Sequence, residues 1–289
     1  MCKELQKRKI HFKVLIRKKE KEGIFVKNPS EKSPDFYKKL FEKYRINKII
    51  HLAAISRETK KPWKEYYRIN VEWTKNLYEG LKKTELQNKS FTFISTVGVY
   101  GMPPKKIPCS INDKLNPNGK YHISKALAEK ELIKIKEKNT RLVILRSSII
   151  YSKNDPGSSL KKLYDLFLSK KFPLIKKTVY HYTGMENVIN YCIKSINKGK
   201  GIFNAVDAEP ITSKELVTFF YKKRKGGSIH LPKTLVKLLI YLIPIEKYKI
   251  KLGILCDWCY TMSKTNKIFK PRKTFDLLEE YFKNGSAWQ

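Results

Sequence analysis

Tyr121 and Lys125 stand four apart in Tyr121-His-Ile-Ser-Lys125, and on a helix that spacing puts both side chains on one face. A free phenol, with a pKa near ~10, is a poor base at neutral pH. A neighbouring ammonium favours the phenolate and lowers that value. Upstream, Thr96 closes the run Phe91-Thr-Phe-Ile-Ser-Thr96, where its hydroxyl could hold a substrate oxygen at the same point. The three groups together suit moving a proton on or off a carbinol while a hydride leaves the carbon. Singly, each has a plainer reading. The Tyr/Lys pair is also an ordinary surface helix face, and Thr96 an ordinary hydroxyl in a turn.

The elements that must position these residues alternate in type. Strands are expected at His11–Ile16, Lys48–Ala54, Phe91–Thr96 and Leu142–Leu145. Helices are expected at Asp35–Tyr44, at Tyr66–Lys82 with Ile69, Trp73, Leu77 and Leu81 on one face, and at Ser124–Glu137. Such alternation implies a parallel sheet covered by helices, with ligands bound at the carboxyl ends of its strands. After about residue 152 the pattern changes. A loop at Lys153–Ser159 leads to a helix at Leu160–Leu168, a strand at Gly201–Val206 and a capping-box start, Thr212-Ser-Lys-Glu215, for a helix through Tyr221.

The 289 residues suffice for one large or two modest domains. Apolar residues, at 41%, recur all along the chain and exclude a disordered polymer. The net charge of +36 invites a nucleic-acid or anionic-membrane reading. However, the basic residues are spread throughout, and only nine of the 62 are Arg, the residue suited to phosphate and base recognition. A lysine-rich solvated surface accounts for this. The five Cys are scattered, which fits a reducing cytoplasm without disulfides. Cys256-Asp-Trp-Cys259 lacks the further ligands that zinc needs, so no metal is expected. The most apolar stretch, Leu235–Ile245, is interrupted by Lys237 and Pro244 and is too short for a membrane helix. The amino terminus lacks the apolar core of a signal peptide, and a cytoplasmic location is expected.

The chain resembles the extended short-chain dehydrogenase/reductase family, the NAD-dependent epimerases and dehydratases of nucleotide sugars. The residues carrying the resemblance are Ile49-Ile-His-Leu-Ala-Ala54, Asn70-Val-Glu-Trp-Thr-Lys-Asn-Leu77, Ser95-Thr-Val-Gly-Val-Tyr-Gly101, Tyr121-His-Ile-Ser-Lys125, Leu145-Arg-Ser-Ser-Ile-Ile-Tyr151 and Phe203-Asn-Ala-Val-Asp-Ala-Glu-Pro210. The resemblance implies a Rossmann-type doubly wound α/β fold. A dinucleotide-binding domain would span 1–152. A smaller α+β substrate region would span 153–289, with strand 201–206 returning to the main sheet. It implies Thr96, Tyr121 and Lys125 as the catalytic set. NAD or NADP would be held by Arg17, Leu52, Ala53, Ala54, Ser95, Tyr121, Lys125 and Ser148. The substrate would be a nucleotide sugar, and helices near Tyr66–Lys82 and Ser124–Glu137 would pair two copies into a homodimer.

Departures from the family pattern shape the expectation further. The family's opening strand and Gly-rich turn, whose amides hold the pyrophosphate, have no counterpart. Gly23 is the only Gly before Gly80. A sheet lacking its first strand, in a truncated chain, is therefore expected. Arg17 stands where an acidic residue often meets the ribose and would suit a 2′-phosphate. Tyr180 lies near the place of an Arg that meets the substrate phosphates. Val97 and Gly98 replace the Asp-Glu pair of the sugar dehydratases, so dehydration is disfavoured and epimerisation or keto-reduction remains. The alternative function is a non-catalytic, basic Rossmann-like protein that binds nucleic acid or another polyanion.

Overall fold

The computed structural model describes residues 1–16, 23–56, 59–153, 159–170, 172–175, 178–232, 234–235, 257 and 259–283. Arg17, Cys256 and most of Leu235–Ile245 lie outside them. The chain divides into two compact units that interleave in sequence. The first holds Met1–Val99, Asn118–Leu145 and Tyr191–Ile202, and the second holds Tyr100–Pro117, Arg146–Asn190 and Phe203–Gln289.

The first unit begins with α1 (Cys2–Lys7), β1 (Leu15–Ile16), β2 (Ile24–Phe25), α2 (Pro34–Lys43) and β3 (Lys48–His51). A continuous helical stretch follows, made of α3 (Trp63–Tyr66), a π-helical turn (Tyr67–Glu72) and α4 (Trp73–Lys82). Then come β4 (Lys89–Thr96), α5 (Gly119–Ile135) and β5 (Thr140–Ser147), whose residues to Leu145 belong here. α7 (Met185–Ser195) belongs here from Tyr191, and β10 (Gly201–Ala205) as far as Ile202.

Four strands form one sheet in the order β10-β5-β4-β3, and β3 pairs with β4 in parallel, Lys48 opposite Ser90 and His51 opposite Phe93. β1 and β2 form a separate parallel pair. Of the strand expected at His11–Ile16, Leu15–Ile16 is paired, and among the described residues β3 lies at one end of the four-stranded sheet. Gly23, at φ 147°, serves the β1–β2 crossing: a Cβ there would lie 2.3 Å from the Val14 carbonyl oxygen.

The core of this unit explains its helices. Tyr37 and Phe41 of α2, Trp73, Leu77 and Leu81 of α4, and Leu132 of α5 bury themselves against Phe91, Phe93 and Ile144 of the sheet. Ser33 caps α2 by accepting from the Phe36 amide at 3.2 Å, and Pro34 opens it. In the second unit, the elements are β6 (Ile150–Tyr151), α6 (Ser159–Leu168), β7 (Phe172–Ile175), β8 (Val179–Tyr180), β9 (Thr183–Gly184), β11 (Ile211–Thr212), α8 (Ser213–Lys223), β12 (Ser228–Leu231), α9 (Ser263–Phe269) and α10 (Thr274–Lys283). Its strands join in twos, and aromatic residues from α6, α8 and α10 make its core. The predicted capping box is present: Thr212 Oγ1 accepts from the Glu215 amide at 3.1 Å, and Glu215 Oε2 accepts from the Thr212 amide at 2.8 Å. Among the described residues, no helix is long and apolar enough to cross a membrane, and no cluster of His, Cys, Asp and Glu could hold a metal ion.

Candidate active site

The parallel strands β3 and β4 end at the same edge of the sheet, and α5 begins there. Leu52 and Ala53, just past β3, are exposed, Leu52 by 50%, and Ala54 is half-buried. They put apolar surface at a strand's carboxyl end, where the sheet's unsatisfied groups meet solvent. Thr96 closes β4, and its Oγ1 accepts from the Gly98 amide at 3.1 Å. Thr96 thus makes the turn contact that its position at a strand end also suggested.

Two contacts bring the first turns of α5 onto the end of β4. Lys125 Nζ donates to the Ile94 carbonyl at 2.5 Å and stands 4.3 Å from the centre of the Phe93 ring. Gly98 meets His122 so closely that a Cβ would lie 2.3 Å from His122 Cδ2. His122 Nδ1 is 2.8 Å from the Asn118 carbonyl oxygen, so that nitrogen carries the proton. Tyr121 immediately precedes His122, its ring centroid 5.4 Å from the imidazole, and one turn before Lys125 it is half-buried. Thr96, Tyr121 and Lys125 therefore belong to one strand–helix junction.

The electrostatics of the pair differ from the simple expectation. Burial pushes the Tyr121 phenol up to about 12, whereas the sequence suggested an ammonium pulling it down. Burial also draws Lys125, only 3% exposed, down to about 7, against the pull of the Glu129 carboxylate. Removal from water disfavours the charged form of both groups and is the leading cause of both shifts.

Ser95 turns inward: its hydroxyl donates to Glu129 Oε1, and both residues are 1% exposed. Ser148 lies in the second unit, where its amide donates to Thr183 Oγ1 at 3.0 Å. Tyr180 is buried there beside Tyr182, with ring centroids 5.7 Å apart. Arg146, also in that unit, donates to Tyr100 Oη at 2.9 Å, and Tyr100 in turn donates to Asn204 Oδ1 at 2.6 Å.

Three residues of the first unit were not picked out from the sequence. Asn70, 1% exposed, accepts from the Ile55 amide at 2.8 Å and donates to the Ile55 carbonyl at 3.1 Å and to Ser124 Oγ at 2.9 Å. Ser124 donates onward to the Tyr121 carbonyl at 2.7 Å. Asn70 therefore ties the loop after β3 to the helix bearing Tyr121. His51 Nε2 contacts Thr74 Oγ1 at 3.0 Å, and since Thr74 donates to the Asn70 carbonyl, His51 is the donor. Burial, with the Lys125 charge, lowers His51 to about 3, so it is neutral. Glu129 is the third. Its spacing, four beyond Lys125, was the available signal.

The comparisons agree with this architecture. A profile of the "NAD dependent epimerase/dehydratase family" matches residues 1–203. The chain is 28% identical over 194 residues to the N-acetyl-alpha-D-glucosaminyl-diphospho-ditrans,octacis-undecaprenol 4-epimerase of Escherichia coli O157:H7, a match covering 64% of this chain and 57% of that protein. It thus spans little more than half of that relative's length. Among solved structures, the UDP-glucose 4-epimerase of Thermotoga maritima with UDP-glucose superposes with a TM-score of 0.69 at 17% identity, covering 98% of this chain and 94% of that one. The UDP-glucuronic acid 4-epimerase of Bacillus cereus, solved with NAD, gives 0.62 at 18% identity, covering 89% and 81%. With a family profile matched over most of its length and a Rossmann-type sheet ending at Thr96, the chain belongs to the NAD-dependent epimerase/dehydratase family.

Proposed function

We propose that this chain is a nucleotide-sugar epimerase or keto-reductase homologue that uses NAD or NADP, with Thr96, Tyr121 and Lys125 as its catalytic residues. The observation that carries the reading is the junction itself. Lys125 is fastened to the Ile94 carbonyl two residues before Thr96, and Tyr121 lies one turn earlier on the same helix.

The residues present fit the nicotinamide half of a dinucleotide. Leu52, Ala53 and Ala54 offer apolar surface just past the end of β3, and Lys125 offers a cation at the end of β4. Among the described residues, Gly23 is not open to a pyrophosphate, because it is taken up by the β1–β2 crossing. When bound, the dinucleotide supplies the acceptor and donor of a hydride. In its phenolate form, which burial disfavours, Tyr121 Oη takes the proton of the substrate carbinol as a ketone forms, and as the phenol it returns that proton afterwards. Thr96 Oγ1 hydrogen-bonds the same substrate oxygen, and Lys125 favours the phenolate. Gly98 has no side chain to protonate a leaving hydroxyl, and the His122 ring covers its Cα, which supports epimerisation or reduction over dehydration. Exposed Trp63, Tyr67, Ile123 and Ile133 on α3, the π-helical turn and α5 support a homodimer through this face.

Tyr121→Phe is the test. Turnover of a nucleotide sugar is expected to vanish while circular dichroism and melting stay those of the parent. Retained turnover overturns the assignment. NADH fluorescence titration separates the alternative: no saturable binding, together with salt-sensitive nucleic-acid binding, supports a basic binding protein instead.

A further inference from the structure

Tyr121, Lys125 and Glu129 recur every fourth residue along α5, so they line one stripe of the helix. The stripe faces β4, and burial deepens along it. Tyr121 is half-buried, Lys125 is 3% exposed and Glu129 is 1% exposed. β4 answers residue for residue. Phe93 places its ring 4.3 Å from the Lys125 Nζ, Ile94 accepts the ammonium on its carbonyl, and Ser95 donates its hydroxyl to Glu129. Thr96 is the next residue. A carboxylate is costly to bury, and it is retained in a core when it has hydrogen bonds and a counter-charge. Glu129 has both.

We propose that Glu129 is a positioning residue for the candidate catalytic set: its carboxylate holds the Lys125 ammonium charged inside the protein, and through Ser95 it fixes the strand end that carries Thr96. The charged and titratable groups around Lys125 are few. Tyr121 and Glu129 share its helix, and His51 of β3 faces it from the sheet. Tyr121 and His51 are neutral near pH 7, since burial raises the first to about 12 and lowers the second to about 3. Glu129 is the group that favours the ammonium, and it is the one whose attraction raises the Lys125 pKa.

The inference deepens the proposed function and rests on it for the roles of Thr96 and Lys125, but its first test needs no activity. In the folded chain Lys125 lies near 7, below a lysine in an unfolded chain at about 10.4. Between those values the unfolded chain binds the extra proton, so the fold gains stability as pH rises across the interval. Below it both states are charged, and the cost of burying the ammonium is felt in full. Removing the counter-charge deepens that cost only while Lys125 is charged.

Glu129→Gln keeps an acceptor for Ser95 and removes the charge. Its melting temperature is expected to fall furthest below the parent's at pH 6.0 to 6.5 and to approach it by pH 9. Ser95→Ala removes the hydrogen bond and keeps the charge, so its deficit is expected to stay constant across the same range. A constant deficit in Glu129→Gln, or a pH-dependent one in Ser95→Ala, overturns the inference. Should Glu129→Gln not fold, the Ser95→Ala profile decides alone. In turnover, the alkaline limb of kcat is expected to move to lower pH in Glu129→Gln, with KM unchanged. If Tyr121→Phe retains activity while the melting profiles behave as stated, the catalytic reading fails and the role of Glu129 toward Lys125 stands.

Discussion

Gly98→Ala tests the strand–helix junction directly. A methyl on Gly98 would lie 2.3 Å from His122 Cδ2 and 2.4 Å from Nε2, against an ordinary contact of 3.4 Å or more. The ring must therefore retreat by about 1 Å, and close-packed interiors resist such a shift. It cannot do so freely, because Nδ1 is held at 2.8 Å by the Asn118 carbonyl. Overpacking of this kind costs about 1–3 kcal/mol. His122→Ala alone loses a buried ring and its hydrogen bond, at a similar cost of about 1–3 kcal/mol. In the double variant the methyl fills the space that the ring vacates, so its cost should be close to that of His122→Ala alone. Urea unfolding of the four proteins gives the coupling. Relief of about 1–3 kcal/mol is expected, and additivity within about 0.5 kcal/mol would refute the packing argument. Because His122 follows Tyr121, Gly98→Ala should also lower kcat, measured on the same preparations.

The other predictions concern support at a distance from the chemistry. Asn70→Ala removes three hydrogen bonds at once and leaves Ile55 without its side-chain partner. At about 0.5–1.5 kcal/mol each, a loss of about 2–4 kcal/mol is expected in urea unfolding, together with weaker NADH binding as the loop after β3 comes free of α5. Thr212→Ala removes the cap of α8 and should cost about 1 kcal/mol, while Thr212→Ser should keep most of it, as read by thermal melting.

The sequence made the strand–helix order of the first unit legible because its apolar runs carry unambiguous periods. The Tyr121/Lys125 pair was legible because a spacing of four survives any small error in where α5 starts. The direction of the Tyr121 shift was not, since sequence shows a neighbour's charge but not how much water is excluded. Glu129 was hidden in the same way. In Ala-Leu-Ala-Glu-Lys it reads as part of a solvated helix face, and only its 1% exposure shows otherwise. Asn70, in the π-helical turn Tyr67–Glu72, shares a helix face with Trp73, Thr74 and Leu77, but sequence does not show that an amide on that face is 1% exposed and hydrogen-bonded. The interleaving of the two units could not be read either. Tyr100–Pro117 departs from the first unit and the chain re-enters it at Asn118; its four prolines mark a loop but not the unit that the loop joins.

β3 ends its sheet with a two-isoleucine edge, Ile49 and Ile50 both partly exposed. Bare ladder edges of this kind recruit copies of themselves and are the usual seed of aggregation. The surplus of 36 positive charges then acquires a colloidal meaning. Like-charged molecules repel over a range of about 8 Å at physiological ionic strength and about 3 Å in molar salt. Lys48 on the strand itself and the lysines around it thus act as a guard on this edge, and concentrated salt, by collapsing that guard, would let such edges meet.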